Sequence, residues 1–132
     1  MIPFSRHNIS RNDVSSVIKV LKSNYLTKGY QVPKFEKKLS QVTKSKYVIA
    51  CNSATSALHI ACKALGLKKG DYLWTSPITF VASANCGLYC EAKVDFVDID
   101  PKTGLMSIKK LKEKLIVAKK KKSLPKIIIP VH

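Results

Sequence analysis

The chain has 132 residues, 45% of them hydrophobic, which suits one soluble domain large enough to bury a core. No apolar run approaches the ~18 residues of a membrane span, and Met1-Ile2-Pro3-Phe4-Ser5-Arg6-His7 lacks the basic-then-apolar layout of a signal peptide, so a cytoplasmic protein is expected. The formal charge of +16 rests on 22 lysines and two arginines, Arg6 and Arg11. Specific readers of nucleic acid favour arginine forks, and these lysines are scattered rather than gathered into a stripe, so solvated lysine-rich faces are the simpler account.

The first helix is expected from about Arg11 to Asn24, with Val14, Val17, Ile18 and Leu21 on one buried stripe. Ser10 and Asp13 have capping-box spacing. Asn24-Tyr25-Leu26-Thr27-Lys28-Gly29 reads as a loop, and Pro33 suits the first turn of a second helix whose apolar face is Phe35, Leu39 and Val42. The text then alternates. Tyr47–Cys51 reads as a strand and Ser53–Leu65 as a helix with Ala57, Leu58, Ala61 and Leu65 on one side, stopped at Gly66. Strands are expected at Tyr72–Thr75, Val94–Ile99 and Lys126–Val131. Helices are expected over Thr79–Cys90 and over a segment marked by Ile108, Leu111, Leu115 and Ile116, which ends in Lys119-Lys120-Lys121-Lys122.

Apolar strands alternating with amphipathic helices predict a mostly parallel sheet with helices on both faces. Right-handed crossovers then put the strand-to-helix turns on one edge, where ligands bind in open α/β sheets. The chain stops at His132 directly after a strand, so a truncated domain is expected. Cys51, Cys62, Cys86 and Cys90 form no Cys-x-x-Cys pair and have no histidine at zinc-finger spacing. Reduced core thiols are expected, and no metal site.

Three turns could carry chemistry. At Cys51-Asn52-Ser53-Ala54-Thr55 a strand gives way to a helix, whose first N–H groups lack partners and carry the positive end of the dipole. Small residues there would let a phosphate approach, although Asn and Ser are equally plain N-caps. Phe80, within Thr75-Ser76-Pro77-Ile78-Thr79-Phe80, opens a helix at the ligand edge, where it could cover a flat ring or simply belong to the core. Val97-Asp98-Ile99-Asp100-Pro101 ends a strand in carboxylates that would serve a ligand or a turn.

Together these stretches, with Ile2-Pro3-Phe4-Ser5, Leu26-Thr27-Lys28-Gly29, Gly70-Asp71 and Ile129-Pro130-Val131-His132, resemble the N-terminal part of the DegT/DnrJ/EryC1/StrS family of pyridoxal-phosphate (PLP) dependent sugar aminotransferases. The branch that aminates UDP-4-keto-6-deoxy-N-acetylhexosamines in pseudaminic acid synthesis is the one the text resembles best. The resemblance implies the large domain of fold-type I PLP-dependent transferases, incomplete over 46–132, behind a helical arm at 1–45. It implies that Ser53, Ala54 and Thr55 hold the cofactor phosphate, that Phe80 stacks on the pyridine ring, and that Phe4, Asn24, Tyr25, Leu26 and Thr27 line the nucleotide-sugar site. Some relatives keep a tyrosine where Phe4 stands.

It further implies an amino-acid donor, typically glutamate, and a homodimer when the protein is complete. The Schiff-base lysine and the aspartate that pairs with the pyridinium nitrogen would lie beyond His132, since none of the 22 lysines stands in the family's context. The competing reading is a basic module that holds a polyanion on a degenerate aminotransferase scaffold.

Overall fold

The computed structural model describes residues 2–3, 5–27 and 29–131. The chain divides into two compact units, Met1–Ala50 and Cys51–His132, each of which is described by itself.

In the first unit, α1 (Arg11–Leu21) begins with the expected capping box. The Ser10 hydroxyl accepts from the Asp13 amide at 3.3 Å, and the Asp13 carboxylate accepts from the Ser10 amide at 2.7 Å. Two of the amides that a helix start leaves unpaired are thereby satisfied. The second helix, α2 (Gln31–Thr43), carries Pro33 in its first turn, where a missing N–H costs nothing.

The apolar stripes depart from expectation. Val14, Val17, Ile18 and Leu21 on α1, and Phe35 and Val42 on α2, are exposed rather than buried. Periodicity makes a helix amphipathic, but it cannot supply the surface that covers the stripe. The strand expected at Tyr47–Cys51 is likewise not formed. A strand exists only through pairing, and here the Ala50 amide donates to the Glu36 carboxylate at 2.8 Å, while Tyr47 and Ile49 face outward.

The second unit is the predicted layered α/β arrangement. Its sheet has the order β2 (Lys93–Phe96), β1 (Tyr72–Thr75), β3 (Ile127–Ile129), and both pairings are parallel. Leu73 stands opposite Val94 on one side and Ile127 on the other. Side chains of β1 alternate between faces, and each face has its own core. Leu73 packs with Cys62, Leu67, Cys86, Cys90 and Ala92 beneath α3 (Ala54–Ala64) and α4 (Ala82–Leu88). Trp74 packs with Val97, Met106 and Ala118 beneath α5 (Ile108–Lys120). Gly87 lets α4 lie close on the sheet, because a Cβ there would meet Val94 Cγ2 at 2.9 Å. All four cysteines are free thiols; Cys51 is only half-buried, whereas the other three are fully buried.

Each helix of this unit ends in the same way. Gly66, Glu91 and Lys122 take positive φ values of 72°, 56° and 54°. The residue after each donates back five positions: Leu67 to the Cys62 carbonyl at 2.9 Å, Ala92 to Gly87 at 3.0 Å, and Ser123 to Ala118 at 2.9 Å. This is the Schellman closure, which satisfies carbonyls that a helix end leaves open. It also corrects the expected face of α3. Leu58 and Cys62 point inward, and Leu65, at the C-cap, is exposed while Leu67 takes the buried place. The link into β1 is tied down by Asp71, which accepts from the Lys68 amide at 3.0 Å and pairs with Lys126 at 3.3 Å.

The strand expected to reach Ile99 leaves the sheet after Phe96, and Ile99 forms an isolated antiparallel bridge with Met106. The helix expected from Thr79 starts at Ala82. Among the described residues no helix is long and apolar enough to cross a membrane.

Candidate functional site

The chain runs from α3 through Leu67–Asp71 directly into β1, so α3 lies antiparallel to the strands and its N-terminus faces their C-terminal edge. Ser53 is the N-cap, in extended conformation (φ −158°, ψ 157°). Its hydroxyl accepts from the Ser56 amide and reaches the Ser56 hydroxyl, both at 3.1 Å, and its carbonyl accepts from the Ala57 amide at 3.0 Å. The amides of Ala54 and Thr55 have no acceptor among the described residues. No acidic side chain occupies the first turn. Plain capping and an anion site therefore coexist: Ser53 satisfies one amide and leaves two for an incoming anion, with the helix dipole behind them.

The neighbouring turn follows β1. Thr75 donates its hydroxyl to the Ile129 carbonyl at 2.9 Å, which joins β1 to β3 at the ligand edge. Ser76 is buried, and its Oγ has no partner among the described residues. The Thr79 and Ser83 hydroxyls lie 3.3 Å apart and brace the approach to α4. Phe80 stands two residues before α4 and is 72% exposed. It is not a core residue. Since α3 and α4 pack side by side on one face of the sheet, the cradle at Ser53, Ala54 and Thr55 and the exposed ring of Phe80 belong to the same edge.

The carboxylates of Asp98 and Asp100 serve the turn. Asp98 Oδ1 accepts from the Ile99 amide and Asp100 Oδ1 from the Lys102 amide, each at 2.8 Å. The loop Asn24–Thr27 lies in the first unit. Ser23 organises it by donating its hydroxyl to the Val20 carbonyl at 2.7 Å and to Tyr25 at 3.1 Å. Tyr25 and Leu26 are exposed beside a small cleft that Val20, Gly29 and Tyr30 also line. Phe4 falls outside the described residues. Reading residue types missed Ser56 as a partner of the cap, although its i+3 spacing from Ser53 was visible, and missed the buried Ser76, for which the sequence carries no signal. Among the described residues no three His, Cys, Asp or Glu side chains are grouped to hold a metal ion.

The model of the DegT/DnrJ/EryC1/StrS aminotransferase family matches residues 7–132. The chain belongs to that family. Its relatives include a UDP-4-amino-4,6-dideoxy-N-acetyl-beta-L-altrosamine transaminase of Campylobacter jejuni, 43% identical over 88% of this chain and 30% of the relative. The spore coat polysaccharide biosynthesis protein SpsC of Bacillus subtilis is 35% identical over 99% of this chain and 32% of its own. Among solved structures, PseC of Helicobacter pylori, an aminotransferase of pseudoaminic acid biosynthesis, superposes with a TM-score of 0.85 at 31% identity, over 97% of this chain and 33% of that one. The chain thus spans about a third of the length of these family members.

The residues at the edge fit the family's cofactor. Two open amides, flanking hydroxyls and the absence of a first-turn carboxylate suit a phosphate, and an exposed aromatic at the same edge suits a flat ring.

Proposed function

We propose that this chain forms the cofactor-phosphate-holding N-terminal part of a PLP-dependent aminotransferase that acts on a nucleotide-linked keto sugar. The observation that carries the reading is the pair of open amides at Ala54 and Thr55, together with the exposed ring of Phe80 just ahead of the neighbouring helix α4. In this reading Ala54 and Thr55 donate to the phosphate, the Ser53 and Thr55 hydroxyls add bonds, and Phe80 covers the ring. PLP, when bound, supplies an electron sink to the carbon that carries the transferred amino group. Phosphate anchoring fixes the ring's position, and the Phe80 face excludes water from one side of it. Asn24, Tyr25, Leu26 and Thr27, with Phe4, receive the nucleotide sugar.

The names of the Campylobacter and Helicobacter relatives favour a UDP-linked 4-keto-6-deoxy-N-acetylhexosamine as acceptor; glutamate as donor and a cytoplasmic homodimer follow from the family resemblance. In this reading none of the chain's own lysines attaches the cofactor covalently.

Equilibrium dialysis of PLP against the 132-residue chain tests this. Binding that inorganic phosphate displaces and borohydride does not make permanent is expected. Failure to bind PLP, or a lysine adduct trapped on one specific residue of this chain, overturns the assignment.

A further inference from the structure

One side chain gathers both ends of the connection that carries α3 into β1. The Lys126 ammonium, directly before β3, donates to the Gly66 carbonyl at 2.6 Å and pairs with the Asp71 carboxylate at 3.3 Å. Gly66 follows the C-cap of α3, and Asp71 stands immediately before β1. Lys126 is itself fixed to the sheet, since its amide donates to the Tyr72 carbonyl at 2.8 Å. Asp71 is held by the Lys68 amide at 3.0 Å. Both charged side chains are partly shielded, at 39% and 24% exposure, so water competes with the pair only in part.

This staple controls one degree of freedom of α3. The inward side chains Leu58 and Cys62 pack through apolar contacts, which are non-directional and resist lifting more than sliding. The bonds at the N-terminus, from Ser53 to Ser56 and Ala57, are internal to the helix and its cap. Among the described residues the Lys126–Gly66 bond is the one hydrogen bond that joins α3 and Gly66 to the sheet and its flanking residues. Sliding matters at the far end. The 11 residues of α3 span about 16 Å, and a rigid helix passes an axial shift on to its first amides. The open amides of Ala54 and Thr55 therefore stand where the Lys126 contact sets the helix. A displacement of about 1 Å is enough to spoil bonds to an anion placed by its other contacts.

We infer that Lys126 is a positioning residue for the phosphate cradle: from the flank of β3 it fixes α3 along its axis and so sets the Ala54 and Thr55 amides at the ligand edge. This rests on the phosphate reading of that edge. The ammonium acts through the helix rather than through its own field, because about 16 Å is twice the screening length of about 8 Å at physiological ionic strength.

Equilibrium dialysis of PLP, and of pyridoxal, which lacks the phosphate, against the 132-residue chain and its Lys126 variants tests this. Lys126→Met keeps an apolar stem and loses the ammonium. It should weaken PLP by about fivefold or more, the low end of coupling between two sites, and leave pyridoxal unchanged. Lys126→Arg, which can renew both contacts, should restore PLP binding. Linkage is reciprocal, so PLP should slow hydrogen exchange at the Lys68 amide in the parent and not in Lys126→Met. A merely structural bond would not respond to the cofactor. If Lys126→Met does not fold, Asp71→Asn, which removes the ion pair and keeps the Gly66 bond, should show the same split at smaller size. A parent that binds no PLP overturns the cofactor reading and this inference with it. A parent that binds PLP, with Lys126→Met binding it equally well or losing PLP and pyridoxal alike, overturns the inference alone.

Discussion

Ala54→Asp separates what α3 does for the fold from what it does for a ligand. Ala54 is the first residue of α3 and is exposed, and its amide is open. A carboxylate in a helix's first turn interacts favourably with the dipole and stabilises by about 0.3–1 kcal/mol. The same carboxylate would face a phosphate dianion at a separation of about 6 Å, and in a water-like dielectric the repulsion is roughly 1.4 kcal/mol, a tenfold loss of affinity. The two effects have opposite signs. Urea unfolding should show a midpoint equal to or above that of the parent, while equilibrium dialysis shows PLP bound about tenfold more weakly. Pyridoxal, which lacks the phosphate, should bind both proteins alike. Equal PLP affinity in parent and variant would refute the phosphate assignment; an equal loss for pyridoxal would show that the change acts on the ring site or on the fold.

Gly87→Ala should destabilise the second unit by about 1–2 kcal/mol in urea unfolding, because the new methyl meets Val94 Cγ2 at 2.9 Å, and overpacking outweighs the gain in helix propensity. Glu91→Gly and Lys122→Gly should each raise stability by about 0.5–1 kcal/mol, since both residues hold left-handed conformations that cost a side chain and suit glycine; no gain in either would show that the backbone relaxes at these ends. Burial, aided by the neighbouring Cys86 and Cys90 sulfurs, pushes the Cys62 thiol from 9.0 up to about 12. A raised acid stabilises below its unfolded value and loses that contribution as pH rises through its folded one, so the urea midpoint should fall between pH 9 and about 12. Cys62→Val should flatten that arm, and a parent curve that matches the variant's would count against it.

The second unit was largely legible in the sequence, because its signals are local and its partners are present. Tyr72–Thr75 forms a strand with the limits expected, and Gly66 stops α3 as a left-handed C′ residue should. Phe80 stands in the turn between β1 and α4, as expected, whereas no strand precedes Ser53 at the start of α3. Signals that depended on distant partners failed. Tyr47–Cys51 has strand composition and no strand beside it, and the stripes of α1 and α2 have no covering surface among the described residues. Pairing is a property of two segments, and composition describes one. The rotation of α3 toward Leu58 and Cys62 was hidden for another reason. Both this face and the expected one carry apolar residues at helical spacing, and the Schellman turn, by burying Leu67, decides between them.

The strand order β2-β1-β3 has a consequence for how the sheet is assembled. The first of the three strands to leave the ribosome becomes the middle one. Lys93–Phe96 then adds to one side of it after a short crossover through α4, and Ile127–Ile129 adds to the other only after α5 has been made. During synthesis β1 carries one satisfied edge and one open edge until β3 arrives. That interval is when an intruding strand could take its place. In the finished sheet β1 is bonded on both sides, and its amides should be the last of this unit to exchange with solvent.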